Sequence, residues 1–176
     1  MRVVVGALIA LVAAVGIIII AAATRPDTFD IKRSIVINAK PGKIESEIVD
    51  FHKWAYWSPY EKKDPAMKRI FSGSDAGIGA VYEWYGDSKV GSGRMEITDI
   101  TPSKVTIKLD FFKPFEGHDT AEYLFEPEGE ATKVTWDMHG RARFIGKVMG
   151  LFMSMDKMVG KDFDEGLENL KRVSEG

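Results

Sequence analysis

No cysteine occurs among the 176 residues. Disulfides, thiol nucleophiles and cysteine-ligated metal centres are therefore excluded. This absence is compatible with an oxidising compartment and does not demonstrate one. Histidine is scarce: His52, His118 and His139 are the full set, and none has a partner at H-x-x-x-H spacing. The spacing thus offers no metal motif. Charge of one sign is also missing. A net charge of −2 leaves no basic field for nucleic acid. Neither an internal repeat nor a low-complexity tract is present, and 45% hydrophobic with 28% charged residues is a globular balance.

One long uncharged run is present. Val3 to Ala23 holds 21 residues without a charge and, as a helix, would reach about 31 Å, the depth of a bilayer core. Residues 1–23 are expected to be a transmembrane anchor, giving a single-pass membrane protein. The alternative is a cleaved signal peptide with Met1-Arg2 as its charged start and Ala21-Ala22-Ala23 at its end; its apolar region is usually only ~7–15 residues. Arg2 precedes the run and Arg25, Lys32 and Arg33 follow it, so loop charge does not fix an orientation. Residues 24–28, with Pro26, read as a linker, and residues 29–176 as one domain.

That domain opens on alternation. Phe29, Ile31, Ile35 and Ile37 share one face of a strand, with Arg33 interrupting the inner row. Pro41 suits the first turn of a helix carrying Ile44, Ile48 and Phe51, and another helical turn is expected from His52 to Tyr56. Six strands follow, near 67–72, 78–85, 94–100, 104–112, 118–126 and 132–139, separated by Gly, Pro, Ser and Asp turns. From Phe144 to Val173 the period becomes helical. Ile145, Val148, Met149, Phe152, Met155, Val159, Phe163, Leu167, Leu170 and Val173 form one stripe. A helix of this kind after a run of strands must lay its stripe on their sheet.

Several stretches carry a resemblance: Arg33–Ala39 followed by Pro41; Asp50-Phe51-x-x-Trp54-x-x-Trp57-Ser58-Pro59; Asp64-Pro65; Gly77-Ile78-Gly79-Ala80-x-Tyr82-x-Trp84; and Phe163-x-x-Gly166-Leu167-x-x-Leu170-Lys171. In this order they resemble the polyketide cyclase/dehydrase-like branch of the START/Bet v 1-like superfamily, over about residues 29–173. The resemblance implies an α+β helix-grip fold, a curved antiparallel sheet around a long C-terminal helix, here preceded by one transmembrane helix. It also implies an apolar cavity between sheet and helix. It supports a ligand class better than a reaction.

The expected cavity lining is the inward strand row, Tyr82, Trp84, Met95, Ile97, Leu109, Phe111, Tyr123, Trp136 and Met138, with Phe152, Met155, Val159 and Phe163 from the helix. Aromatic and Met-rich walls suit a deformable hydrophobic site; the same residues would equally fill a solid core. Trp54 and Trp57 are a possible gate, or anchors for the short helices. Gly166 sits within the helical stripe, where it costs ~1 kcal/mol against alanine, so a close approach of its backbone to the sheet or to a ligand is expected, the sheet being favoured.

No catalytic constellation is evident. Gly91–Glu96 lacks the third glycine of a dinucleotide loop and opens a strand. Gly73–Gly79 reads as a turn, and Ser58 lacks a nucleophile context. Glu83, Glu96, Asp110, Glu122 and Asp137 alternate with the aromatic row and should face solvent, while Asp99 and Asp119 share its parity near strand ends, where water is the simpler partner. Arg94, Arg141 and Arg143 are candidates for an anionic head group at a cavity mouth. The expected function is a membrane-tethered domain that binds a lipid or other hydrophobic small molecule, with no cofactor. A cyclase or dehydratase in the same cavity and a partner-binding domain with a vestigial pocket are the alternatives.

Overall fold

A computed structural model describes residues 2–152 and 155–176, with the side chains of Arg2, Val3, Met155 and Met158 outside the described set. The chain begins with helix α1 (Arg2–Ala23), long and apolar enough to cross a membrane. Strand β1 (Thr28–Ile37) follows. Four short helical pieces come next: α2 (Pro41–Ile48), a 3-10 turn (Phe51–Lys53), α3 (Trp54–Trp57) and α4 (Pro59–Lys63). Then come β2 (Lys68–Gly73), β3 (Ala80–Tyr85), β4 (Ser92–Thr101), β5 (Lys104–Lys113), β6 (Gly117–Glu128) and β7 (Ala131–Arg141). Two helices close the chain, α5 (Phe144–Phe152) and α6 (Met155–Glu175).

The seven strands form one antiparallel sheet in the order β1-β7-β6-β5-β4-β3-β2. Five hairpins build it from β2 to β7, and β1 then pairs with β7 from Thr28↔Arg141 to Ile37↔Thr132. Register shifts within the β4–β5 pair, at Ser92/Gly93 and at Ile97/Asp99, interrupt the ladder and bend it. Alternation is kept where one face is buried: along β6, Ala121, Tyr123 and Phe125 are buried while Glu122 and Leu124 are only partly so.

Helix α6 lies on the inner face of the sheet. Phe163, Leu167 and Leu170 are buried there with Trp136, Tyr123, Val134 and Ile37. Trp136 stacks on Phe163 with ring centroids 4.0 Å apart. Gly166 explains how close the two come, because a Cβ there would lie 2.7 Å from Trp136 Cζ3 and 3.1 Å from Pro59 Cδ. The helix is pinned at both ends. Arg33 donates to both carboxylate oxygens of Asp156 at 2.8 and 3.1 Å, and the Asn38 amide donates to Glu175 Oε1 at 2.7 Å. Arg33, the residue that interrupts the inner row of β1, thus serves as the clasp on the first turn of α6.

The stripe expected to run unbroken from Phe144 to Val173 is served by two helices with different neighbours. The α6 portion meets the sheet. The α5 portion has no fully buried residue and packs along α1. The difference lies in composition: Phe-Ile-Gly-Lys-Val-Met-Gly-Leu-Phe has one charge and two glycines, whereas α6 has a full polar face.

Candidate functional site: an open apolar cavity

Curvature of the sheet leaves space between its inner face and the helices, and that space is a cavity of about 860 Å³. A volume of this size lies within the range of ligand sites, ~300–1,000 Å³. The floor is the strand row Tyr82, Trp84, Met95, Leu109, Phe111, Trp136 and Met138, with Val159 and Phe163 from α6. Ala121, which sequence reasoning passed over, also opens onto it from β6. Ile97 and Tyr123 are fully buried in the core beside it and are not on its wall. Phe152 is 71% exposed at the end of α5. Met155 lies outside the described side chains.

The two tryptophans proposed as a gate are fixed. Trp54 Nε1–H donates to the Ile48 carbonyl at 2.9 Å and Trp57 Nε1–H to the Glu47 carbonyl at 3.0 Å. Trp54 reaches the cavity wall; Trp57 is buried between Trp54 and Trp136 and does not. Both therefore tie the short helices to the core.

Polar groups enter the cavity from two sides. At the short helices, Glu61 accepts from Tyr82 Oη at 2.6 Å and from Arg69 Nε at 2.7 Å. Burial, then the bond to Glu61, holds the Tyr82 phenol far above its ordinary range. Lys63 pairs with Asp162 at 2.5 Å beside Tyr60, whose phenol burial also pushes up. Glu61 was invisible in the sequence because it lies on a five-residue helix with no strand parity to place it.

On the opposite wall stands Asp119, expected at a solvated strand end. It lines the cavity instead, against Gly140, where a Cβ would lie on top of its Oδ1. The missing side chain at Gly140 is what makes room for it. Asp119 makes no hydrogen bond or ion pair among the described residues. Burial raises its carboxyl from 3.8 to about 6, with His118, Arg143 and His139 opposing the rise.

The outer face of the sheet is polar, as the alternation predicts, yet two of its acids are not in solvent. Asp110 and Asp137 are buried beneath charged neighbours: Asp110 between Lys108 of its own strand (3.1 Å) and His118 across the ladder (2.7 Å), Asp137 under Lys32 of the adjacent strand (3.1 Å). Glu122, Asp137 and His139 also bring three possible donor atoms within 4.8 Å of one another, a grouping made by the Glu122↔Asp137 register and undetectable from sequence spacing. Lys104 already occupies Glu122 at 2.7 Å. All of this lies on the far side of the sheet from the cavity.

The exposed cavity residues mark its mouth. Arg25 and Pro26 come from the segment after α1, Lys113 to Glu116 from the β5–β6 turn, Arg141 and Arg143 from the end of β7, and Ile145 and Met149 from α5. Arg94 is not there; it pairs with Glu96 at 2.8 Å on the sheet.

Residues 28–175 match the model of a family described as polyketide cyclase / dehydrase and lipid transport. Among solved structures, the chain is similar to protein CV1439 from Chromobacterium violaceum, with 14% identity, TM-score 0.59, and coverage of 86% of this chain and 99% of that one. It is similar to Ara h 8.0201 at 12% identity and TM-score 0.52, covering 85% and 96%. It also resembles the di-domain ARO/CYC protein StfQ of the steffimycin biosynthetic pathway at 9% identity and TM-score 0.56, covering 84% of this chain and 49% of that one. At these identities the likeness concerns the fold. No curated protein matches the chain in sequence.

Proposed function

Because the chain belongs to the polyketide cyclase / dehydrase and lipid transport family, we propose that it is a membrane-tethered domain that holds a lipid or other hydrophobic small molecule between its sheet and α6. The observation that carries this reading is the cavity itself: about 860 Å³ of space walled by aromatic and Met side chains. A sheet and helix meant only to pack would close such a volume, because interiors otherwise reach crystal-like density. The tether is α1, whose 22 residues reach ~33 Å, joined to β1 by only a few residues. Residues 1–23 are the anchor in this reading, 24–28 the linker and 29–176 the binding domain.

Native mass spectrometry of the full chain, purified in mild detergent, with extraction and identification of small molecules, tests this. Ligand should co-purify. Ala121→Phe, which projects a ring into the cavity from a rigid strand, should reduce its occupancy several-fold while the fold is kept. Persistent absence of ligand, or unchanged occupancy in Ala121→Phe, would refute the carrier reading.

A second reading, acid–base chemistry of the cyclase or dehydratase kind in the same cavity, has one observation in its favour. Asp119 is a half-buried carboxyl with a raised pKa on the wall of an apolar site, a combination that suits a general acid or base. Glu61 and Asp162 are already neutralised by Arg69 and Lys63. His118 lies on the outer face with Asp110. Asp119 thus stands without a catalytic partner, and binding is the reading the geometry supports better.

A further inference from the structure

Helix α5 has an unusual position. It forms part of the cavity wall through Ile145, Gly146, Met149 and Gly150, yet it packs along α1 and not on the sheet. Ala22, near the end of α1, is buried, and among the described side chains of α1 exposure is interrupted at Gly16, Ile18, Ala21 and Ala22, toward the domain end. The start of α5 is tied to the linker at Asp27. Lys147 Nζ pairs with Asp27, and the Ala142 amide donates to the Asp27 carbonyl at 2.9 Å. Four apolar side chains of α5 stay exposed: Phe144, Ile145, Met149 and Phe152 are 52%, 42%, 42% and 71% accessible. Across the mouth, the β5–β6 turn presents Phe115, also exposed, at 51%. Cations flank these aromatics: Arg25, Lys89, Lys113 and Arg141 all border the opening. Of the acids at the mouth, Glu116 sits 3.9 Å from Arg143.

An apolar patch of this extent, rimmed by cations and continuous with a bilayer-length helix, fits one kind of partner. Apolar side chains bury in the acyl region, and Lys and Arg lie at the level of the head groups. We infer that α5 and the β5–β6 turn are immersed in the leaflet beside α1, so that the cavity opens sideways into a bilayer carrying anionic lipid and not into water. The inference rests on the tethered-carrier reading and adds the route by which the ligand arrives: a lipid moves tail-first from the leaflet past α5 without crossing water.

The absence of cysteine makes the test direct, since any introduced cysteine is the sole labelling site. The full chain is reconstituted into vesicles of phosphatidylcholine and phosphatidylglycerol, carrying an environment-sensitive fluorophore at Phe152→Cys, Phe115→Cys, Val12→Cys or Glu130→Cys. Each site is exposed, and Glu130 lies at the opposite end of β6 and β7 from the mouth. Quenching by brominated lipid is compared with quenching by aqueous iodide. The labels at 152, 115 and 12 should be quenched by lipid several-fold more than the label at 130. Removing phosphatidylglycerol should weaken lipid quenching at 115. Lipid contact at 12 with water contact at 115 and 152 overturns this inference alone. Water contact at 12 overturns the tether and the inference with it. Equal quenching at 115 with and without phosphatidylglycerol overturns the anionic-lipid part.

Discussion

Asp119→Asn should stabilise the protein at pH 8 and leave it nearly unchanged at pH 4. The native carboxyl titrates at about 6 in place of 3.8, because burial in the cavity wall disfavours its charged form. Below pH 4 the folded and unfolded chains both carry the proton, and the group contributes nothing. Between pH 4 and 6 the unfolded chain ionises first, so rising pH disfavours the native state. Above about pH 6 the full penalty applies. A shift of about two pH units corresponds to roughly 3 kcal/mol. Asp119 is only half-buried, so solvent screening reduces this to about 1–2 kcal/mol. Asparagine has the same shape and fits against Gly140 without the charge. For a chain of this length, the gain corresponds to about 3–6 °C in melting temperature. The assay is thermal unfolding of the full chain in non-ionic detergent, variant minus wild type, at both pH values. An equal shift at pH 4 and pH 8, or a loss at pH 8, would show that the carboxyl is not held in a desolvated site.

Gly166→Ala should lower the melting temperature despite the ~1 kcal/mol that alanine gains in a helix. Its methyl group would press on a Trp136 ring held against Phe163, an overpacking of ~1–3 kcal/mol; a higher melting temperature would refute the close-approach argument. Tyr82→Phe removes the 2.6 Å hydrogen bond to Glu61 and should cost about 1.5–3 kcal/mol, read by the same unfolding assay, with no change meaning that Arg69 alone satisfies Glu61. Arg33→Ala unclasps the first turn of α6 and should cost about 1 kcal/mol at low salt and less at high salt; an effect indifferent to salt would assign the loss to packing.

The parts of the fold that depend on repetition were readable. Alternation from Phe29 to Ile37, the six turn-bounded runs and the stripe through Phe163, Leu167 and Leu170 each report a buried face directly, and the ordered motifs from Arg33 to Lys171 carried the family. Strand parity likewise places Tyr82, Trp84, Leu109 and Trp136 on one face, and these side chains border the cavity. Parity does not say where that face is open. Ile97 and Tyr123 share the row but are fully buried off the wall, Tyr123 beneath Trp54 and Trp57, and parity alone cannot separate them from the wall residues. Glu61 depends on how a five-residue helix tilts, and Asp119 on a gap at Gly140, two strands' contributions that no local pattern reveals. The division of the C-terminal stripe escaped because a helical wheel gives direction without identity. It shows that Ile145 and Leu167 want an apolar neighbour, and cannot tell α1 from the sheet.

The pairing of β1 with β7 has a consequence for the order of synthesis. β1 is the first strand made, and its sole neighbour in the sheet is the last, with Thr28 waiting for Arg141. Roughly a hundred residues must be translated in between, which takes about 5–20 s at ~5–20 residues per second. During that interval the hairpins from β2 to β6 can form one by one behind the ribosome, while β1 remains an open edge with its amides and carbonyls unpaired. Closure of the sheet, seating of α6 and formation of the cavity all fall after the last strand emerges. The cavity is therefore among the last features of the nascent protein to exist.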